Sequence, residues 1–178
     1  MKQFEVIDNF LSIGDWQDLY DNIKSNRFLW SKNPSFIPGN EPVQLKEYFS
    51  FCNNAIYKGE YFKEFDKDFD YTKILLDELR KKQNISNFEI IRSKANLFLR
   101  TNENLKLGLH YDVPNDDTYE TLLYFINDNN GGVEFEDGTF IKQKENRALI
   151  MYGRLKHQSV TQTDTRERYN ININYFRR

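Results

Sequence analysis

The chain has 178 residues, of which 39% are hydrophobic and 29% are charged, and its formal net charge is −2. This length and composition predict one globular domain, residues 1–178, with a strongly aromatic core. The near-neutral charge disfavours nucleic acid as a partner, because phosphate contacts need a cationic surface. No stretch reaches the roughly twenty apolar residues of a membrane span, and the first residues lack the apolar run of a signal peptide. Cys52, the one cysteine, cannot form an intramolecular disulfide, so we expect a reducing, cytoplasmic environment.

The N-terminal part of the sequence predicts two helices. A short strand is expected at QFEVI, and from Gly14 to Ser25 apolar side chains recur at helical spacing. The segment WSKNPSFIPGNEP holds three of the four prolines and is typical of an irregular loop. A second helix is expected from about Tyr71 to Lys82, where four aliphatic residues supply one buried face.

The sequence after the second helix is typical of strands. FEIIRSKANLFLR, YETLLYFIN and RALIMYG are rich in aromatic and aliphatic residues, and VEFEDGTFIKQ divides at an Asp-Gly turn. RYNININYF alternates strictly, with Tyr and Ile on one face and Arg168 and three asparagines on the other. Six or more strands after two helices predict a mainly β protein with helices, an α+β sandwich or barrel braced by N-terminal helices.

The stretch LHYD places His110 and Asp112 two residues apart, and the chain has only one other histidine, His157. Alternate residues of a strand project from one face, so the imidazole and the carboxylate can meet at one point. A divalent ion such as iron(II) accepts two imidazoles and one carboxylate on one side of its octahedron and keeps its other positions open. His157 is the only candidate for the second imidazole, if the fold brings the two strands together. A simple hydrogen bond between His110 and Asp112 on a strand surface is the alternative.

Arg168 opens the last strand, eleven residues after His157. Its guanidinium can bind a carboxylate through two parallel hydrogen bonds, as the far end of a dicarboxylic acid would require. A solvated polar face on an edge strand is the other interpretation.

Taken together, HYD at 110–112, the following TLLYFINDNNGGVEFEDG, then RALIMYGRLKH and TRERYNININYF resemble the iron(II)- and 2-oxoglutarate-dependent oxygenases. The resemblance is greatest to the prolyl-4-hydroxylase-like branch, including its small phage-type members, and it covers nearly the whole chain. It implies one dioxygenase domain with a double-stranded β-helix core of the jelly-roll or cupin type.

The resemblance also implies roles for individual residues. His110, Asp112 and His157 would bind Fe(II), and Arg168 would bind the distal carboxylate of 2-oxoglutarate. The implied reaction consumes O2, releases succinate and carbon dioxide, and hydroxylates a C–H bond of a protein residue, proline included, or of an amino acid.

The sequence departs from the family pattern at several positions. Arg168 is slightly farther from His157 than is usual, so Arg166 is a rival for the cosubstrate carboxylate. For the tyrosine that contacts the cosubstrate we take Tyr124, with Phe125 as the other register. A second such tyrosine is replaced by Arg100.

Less specific expectations concern the pocket and its loops. Asn172 shares the face of Arg168 and is either a pocket residue or a solvated amide. The segments RTNENLKLG and SKNPSFIPGNEP are either substrate lids or ordinary surface loops.

Two other functions remain open at this point: a metal- or ligand-binding β-sandwich without catalysis, and an oxidative demethylase of a methylated base. Neither a nucleophile elbow, a phosphate loop nor a CxxC pair occurs. The sequence does not identify the substrate or the oligomeric state.

Overall fold

A computed structural model describes residues 3–33, 50–62, 69–113, 116 and 118–178. These parts of the chain are mostly β-structure, with two helices, α1 (Ile13–Lys24) and α2 (Tyr71–Gln83). The strands are β1 (Phe4–Ile7), β2 (Ser31–Asn33), β3 (Ser50–Tyr57), β4 (Glu60–Tyr61), β5 (Phe88–Leu99), β6 (Glu120–Phe125), β7 (Gly132–Phe135), β8 (Phe140–Lys142), β9 (Arg147–Tyr152), β10 (His157–Val160) and β11 (Glu167–Arg177). None of the helices in the described ranges combines the length and the apolar character that a bilayer span needs.

Local capping explains where both helices begin. The hydroxyl of Ser12 accepts a hydrogen bond from the Asp15 amide at 3.2 Å, and the Asp70 carboxylate accepts one from the Lys73 amide at 3.0 Å. Each bond satisfies an amide that has no partner within its helix. Helix α2 ends at Asn84, whose left-handed backbone (φ 51°) stops the helix. The bounds of both helices agree with the sequence prediction to within one residue at each end.

The described strands pair antiparallel in two sheets. The large sheet has the order β1-β9-β6-β11-β5-β3-β2, with β4 attached to β3, and the small sheet has the order β10-β7-β8. Strand β11 therefore lies in the centre of the large sheet, between β5 and β6. Strands β2, β3, β4 and β10 were not predicted. Strands β2 and β4 have only three and two residues, and β2 lies in the segment expected to be a loop. The sequences of β3 and β10, SFCNNAIY and HQSV, lack the apolar alternation that marks a half-buried strand.

Each face of the large sheet is covered by a different layer. On one face Leu19 and Ile23 of α1 and Leu75 and Leu79 of α2 pack with apolar residues of the central strands, among them Ile171. On the other face the small sheet packs through a second apolar cluster, formed by Leu123, Phe125, Val133, Phe135, Leu149 and Met151. Because β6 and β9 are covered on both faces, their sequences are continuously apolar rather than alternating.

Two glycines allow the small sheet to form. A Cβ atom on Gly131 would lie 2.7 Å from the carbonyl oxygen of Val160, and one on Gly132 would lie 2.2 Å from that of Ile141. Both distances are far inside van der Waals contact, so the pair Gly131-Gly132 is required where β7 passes between β10 and β8.

We predict that Asn146→Gly lowers the free energy of unfolding by about 3 kcal/mol. The buried Asn146 amide bonds both backbone groups of Leu11, at 2.8 and 3.0 Å, and accepts from the Tyr124 hydroxyl at 2.9 Å. Asn146 has a φ of 52°, which glycine tolerates, so the loss reports the hydrogen bonds and not backbone strain. Urea unfolding measures it.

The control for this prediction is Asn84→Gly, which keeps a left-handed helix terminus and should change the stability by less than about 0.5 kcal/mol. Equal effects of the two substitutions would contradict the assignment.

Candidate metal centre

The two histidines of the chain lie side by side because their backbones pair. The His110 amide donates to the His157 carbonyl at 2.9 Å, and the His157 amide donates to the His110 carbonyl at 3.0 Å. These two bonds form an isolated antiparallel bridge at the start of β10. The imidazole rings stand with their centroids 4.8 Å apart. The sequence did not show whether the fold brings the two imidazoles together, and this bridge shows that it does.

Both rings are held with the same nitrogen facing the candidate site. Nδ1 of His110 lies 3.0 Å from the Gly108 carbonyl, and Nδ1 of His157 lies 2.8 Å from the Leu155 carbonyl. A carbonyl only accepts, so in each neutral ring the proton is on Nδ1 and the lone pair is on Nε2. This arrangement is the one in which an imidazole ligates a metal through Nε2 while a backbone acceptor orients the ring.

Asp112 completes the cluster. Its Oδ2 lies 3.7 Å from Nε2 of His157, and one ligand atom from each of the three residues lies within 4.8 Å of the others. Two ligand atoms at right angles, each about 2.1 Å from one ion, would be about 3 Å apart. Small movements of the side chains would thus bring all three onto one ion. Two imidazoles and one carboxylate on a single face match the ligand set of non-haem iron(II) sites.

A hydrogen-bond network fixes the carboxylate of Asp112. Its Oδ1 accepts from Arg92 Nη2 at 3.0 Å, its Oδ2 accepts from the Thr121 hydroxyl at 3.1 Å, and the Asn172 amide lies 3.3 Å from both oxygens. Asn174 contacts two of these partners and not Asp112 itself. Its Oδ1 accepts a hydrogen bond from Arg92 Nε at 3.1 Å, and its amide nitrogen donates one to the Thr121 hydroxyl at 2.8 Å. The Asp112 side chain is only 3% exposed. The network thus orients a buried carboxylate through four side chains.

The charges around the cluster keep Asp112 ionised. Burial raises the pKa of its carboxyl, but His157 when protonated, Arg92, His110 when protonated and the amide of Asn172 outweigh burial and hold the pKa well below its ordinary value. The ring of His110 is exposed at the surface, yet loss of hydration together with the neighbouring His157 lowers its pKa. A low pKa favours the neutral form of the His110 ring, which is the form that binds metal.

Arg168 is fully buried between the two sheets. Its Nη1 donates to the Gly132 carbonyl of β7 at 3.1 Å, and its guanidinium carbon lies 4.1 Å from the ring centroid of Phe98, the residue opposite on β5. Arg168 and Asn172 share a face of β11, four residues apart, which is about 13 Å along the strand. A cation is thus buried on the same face of the sheet as the Asp112 network.

Arg166, the rival for this position, and Arg100, which replaces a family tyrosine, both lie at the surface. Their backbones are joined by a hydrogen bond of 3.0 Å from the Arg100 amide to the Arg166 carbonyl. In the interior, the side chains that follow Arg168 along β11 are amides, and Asn170 accepts from Asn96 of β5 at 2.9 Å. Arg168 is therefore the arginine that enters the space between the sheets.

The structure does not bring Tyr124 to the cluster, which corrects the residue chosen from the sequence. Tyr124 belongs to the helix-covered face of β6, where its hydroxyl donates to Asn146 and its ring packs on Phe10. Its neighbours Leu123 and Phe125 face the small sheet. The alternation of the strand decides between the two registers, and Phe125 is the one on the interior face.

Sequence reasoning overlooked the partners of Asp112, with the exception of Asn172. Arg92 and Lys94 lie on the interior face of β5, and Thr121 lies on that of β6. The signal that was available is the sequence IRSKAN, in which two cations alternate with small residues in an otherwise apolar strand. The alternation places both cations on one face of the strand, but it fits a solvated face equally well, so only the structure shows that this face is covered.

The two proposed lid segments have different outcomes. The proline-containing segment SKNPSFIPGNEP extends beyond the described residues after Asn33. The segment before His110 is bonded to β10 and the chain after it, through Leu107 to Ser159 at 2.9 Å and Thr161 to Leu105 at 2.9 Å. These bonds hold the 105–107 backbone against β10.

Solved structures share this arrangement of strands and helices. An oxidoreductase of the 2OG-Fe(II) oxygenase family from Burkholderia pseudomallei is similar with a TM-score of 0.70 at 11% identity, over 99% of this chain and 86% of that one. The chain has the fold of the 2-oxoglutarate and iron(II) oxygenases. The resemblance seen in the sequence is confirmed at the level of the fold.

Two further oxygenase structures are prolyl hydroxylases. One, from Trichoplax adhaerens and in complex with a hypoxia inducible factor oxygen degradation domain peptide fragment, has a TM-score of 0.65 at 16% identity, over 98% of this chain and 84% of that one. The viral collagen prolyl hydroxylase of Paramecium Bursaria Chlorella virus-1, in a 2OG complex, has a TM-score of 0.56 at 16% identity, over 98% and 96%. No family model and no curated protein matches the chain.

We predict that His110→Ala weakens the binding of Fe(II) at least about 100-fold. Loss of a residue that only orients a metal ligand costs roughly 10- to 100-fold in affinity, and this substitution removes a ligand atom itself. The exposed ring leaves no cavity, and the backbone bridge to His157 does not require it. Anaerobic calorimetric titration with Fe(II) alone measures the affinity. The adjacent Leu109→Ala, also an exposed side chain, is the control and should bind as the unaltered protein does. Equal affinities of both variants would remove His110 from the ligand set.

A second prediction concerns the counter-charge of Asp112. Arg92→Met should lower the stability of the metal-free protein by about 2 kcal/mol, because a buried carboxylate loses its cation. Adding Zn²⁺ should then raise the melting temperature of the variant by more than that of the unaltered protein, since the ion replaces the missing charge. Calorimetry with and without the metal tests both parts.

Lys73→Met is the matched control, because Lys73 pairs with Asp77 on the exposed face of α2. It should leave both the stability and the response to Zn²⁺ essentially unaltered, because water screens an exposed ion pair. A smaller metal response in Arg92→Met than in the unaltered protein would contradict the role given to Arg92.

Proposed function

We propose that the chain is a single iron(II)- and 2-oxoglutarate-dependent dioxygenase domain that hydroxylates a C–H bond and releases succinate and carbon dioxide. The observation that carries the proposal is the convergence of two Nε2 atoms and one carboxylate, with each imidazole fixed through its Nδ1 atom. The small sheet packed on the large one supports a double-stranded β-helix core, in which the metal lies between the sheets.

His110, Asp112 and His157 would hold the iron, with the Asp112 network keeping one carboxylate oxygen directed at the ion. Iron(II), with 2-oxoglutarate and O2, supplies the oxidising power that an unactivated C–H bond requires. The chain itself contributes a site with open coordination positions, a fixed ligand orientation and an interior layer from which bulk water is largely excluded.

Arg168 would hold the distal carboxylate of the cosubstrate. A buried guanidinium offers parallel donors to a carboxylate in surroundings where each hydrogen bond is stronger than in water. The 13 Å or so between Arg168 and Asn172 along β11 can be spanned by an ion, a five-carbon diacid and the arginine side chain. Phe98 stacks on the guanidinium and limits its movement.

A prolyl residue of a peptide, or a free amino acid, is the proposed substrate class. Two similar structures are prolyl hydroxylases, one of them with a peptide bound. The net charge of −2 disfavours a methylated base, because nucleic acid is usually bound by a strongly cationic surface.

The decisive experiment is anaerobic addition of 2-oxoglutarate to the Fe(II)-loaded protein. We expect a weak visible charge-transfer band and, in air, slow release of succinate. Arg168→Lys should raise the half-saturating concentration of 2-oxoglutarate about 100-fold, because a single ammonium cannot reproduce the paired hydrogen bonds.

Arg166→Lys, two residues away and exposed, is the matched control and should leave the half-saturating concentration unchanged. If Arg166→Lys has the larger effect, the cosubstrate anchor is wrongly assigned. A protein that binds Fe(II) and gives neither the band nor succinate is a binding module and not a dioxygenase.

A further inference from the structure

Lys94 is a second cation on the interior face of β5, and neither the metal cluster nor Arg168 accounts for it. Its neighbours Ser93 and Ala95 face the helices: Ser93 bonds Thr72 of α2 at 2.6 Å, and Ala95 is part of the core beside them. Strand alternation therefore turns Lys94 to the opposite side. There it lies directly across from Asn172 of β11.

The position of Lys94 is at the metal end of the interior. Asn172, its cross-strand neighbour, is the residue whose amide lies 3.3 Å from both oxygens of Asp112. The charge of Lys94 acts on Asp112 and also on His110. Two of the three candidate ligands thus lie within the electrostatic reach of this ammonium.

Lys94 differs from Arg92, the other cation on this face. Arg92 is used within the fold, because it donates to Asp112 at 3.0 Å and to Asn174 at 3.1 Å. For Lys94, the described parts of the chain provide neither a hydrogen bond nor an ion pair to the ammonium. Loss of hydration, and then the charge of Arg92, lower the pKa of Lys94. Lys94 is half-buried, and the described side chains supply no hydrogen bond or ion pair that would compensate the partial loss of hydration of its charge.

An anionic ligand would compensate this cost. A metal ion held by His110, Asp112 and His157 would lie at this end of the interior, and in a dioxygenase carboxylate-bearing molecules bind beside such an ion. Arg168 is about 13 Å away along the sheet and, in the proposed function, would bind the other end of a diacid. Lys94 is thus placed for a carboxylate near the ion and not for the distal one.

We propose that Lys94 is an anion-binding residue that contacts the carboxylate of a molecule bound beside the metal. The inference rests on the proposed function and deepens it. The carboxylate is either the near one of 2-oxoglutarate or that of an acidic or free amino-acid substrate, and the two sources give different results in the test below.

The test compares Lys94→Met with Lys94→Arg, which keeps the charge, and with Lys81→Met on the exposed side of α2 as the control. Before any ligand is added, Lys94→Met should melt at a temperature equal to or higher than that of the unaltered protein, because an apolar side chain of similar length replaces a half-buried ammonium that makes no hydrogen bond or ion pair with the described residues. A lower melting temperature would mean that the fold itself uses the charge, and would overturn the proposal.

Ligand binding is then measured by anaerobic titration of the Fe(II)-loaded variants with 2-oxoglutarate, followed through the charge-transfer band. If the near carboxylate of the cosubstrate is the anion, Lys94→Met raises the half-saturating concentration about ten- to hundredfold, Lys94→Arg raises it less, and Lys81→Met leaves it unchanged.

If a substrate carboxylate is the anion, the titration curves coincide and the difference appears in succinate release. Free amino acids, but not their N-acetyl amides, then stimulate the unaltered protein, and the stimulation is lost in Lys94→Met. The proposal for Lys94 alone is overturned if Lys94→Met and the unaltered protein give the same titration curve and if free amino acids also stimulate both proteins equally or stimulate neither. If the unaltered protein gives no charge-transfer band, the proposed function fails and the inference fails with it.

Discussion

The pairing of two backbone segments at His110 and His157 is the constraint on which the rest of the site depends. Forty-six residues separate the two imidazoles in the chain, yet two backbone hydrogen bonds hold them at one position. The bridge fixes the backbone positions of both histidines, and hydrogen bonds to the carbonyls of Gly108 and Leu155 fix the orientations of their rings. A metal site built in this way has its imidazoles in position before any ion arrives, so little reorganisation is needed on binding.

The polar layer between the sheets follows from this arrangement. A carboxylate that is turned inward to join two imidazoles must be compensated, and Arg92, Thr121 and Asn172 compensate it. These side chains, with Arg168 at the other end, replace apolar packing on the interior faces of β5 and β11. The protein therefore gives up hydrophobic burial in this layer, and its stability comes mainly from the helix-covered face and from the apolar cluster between β6, β7 and β9.

Most of the regular elements could be predicted because their signals are local. Helix capping by Ser12 and Asp70, the Asp137-Gly138 turn and the alternation of β11 depend on neighbours within a few residues. Strand β3 could not be predicted in this way. Its partners are β2 and β5, and its side chains include Cys52 and two asparagines that only these partners make compatible with a sheet. The face to which Tyr124 belongs was likewise undetermined, since a strand buried on both sides has no polar face to set its register.

By itself the sequence determined that the chain is mainly β and that two helices precede most of the strands, and it indicated two histidines, one nearby aspartate and a late arginine as candidate site residues. These features follow from periodicity and from the scarcity of histidine. Only the tertiary structure decided that the polar face of β11 is buried, that Arg168 and not Arg166 enters the interior, and that Arg92 pairs with Asp112. The reason is physical: the strand period assigns a residue to a face, but which layer covers that face depends on contacts between residues far apart in the chain.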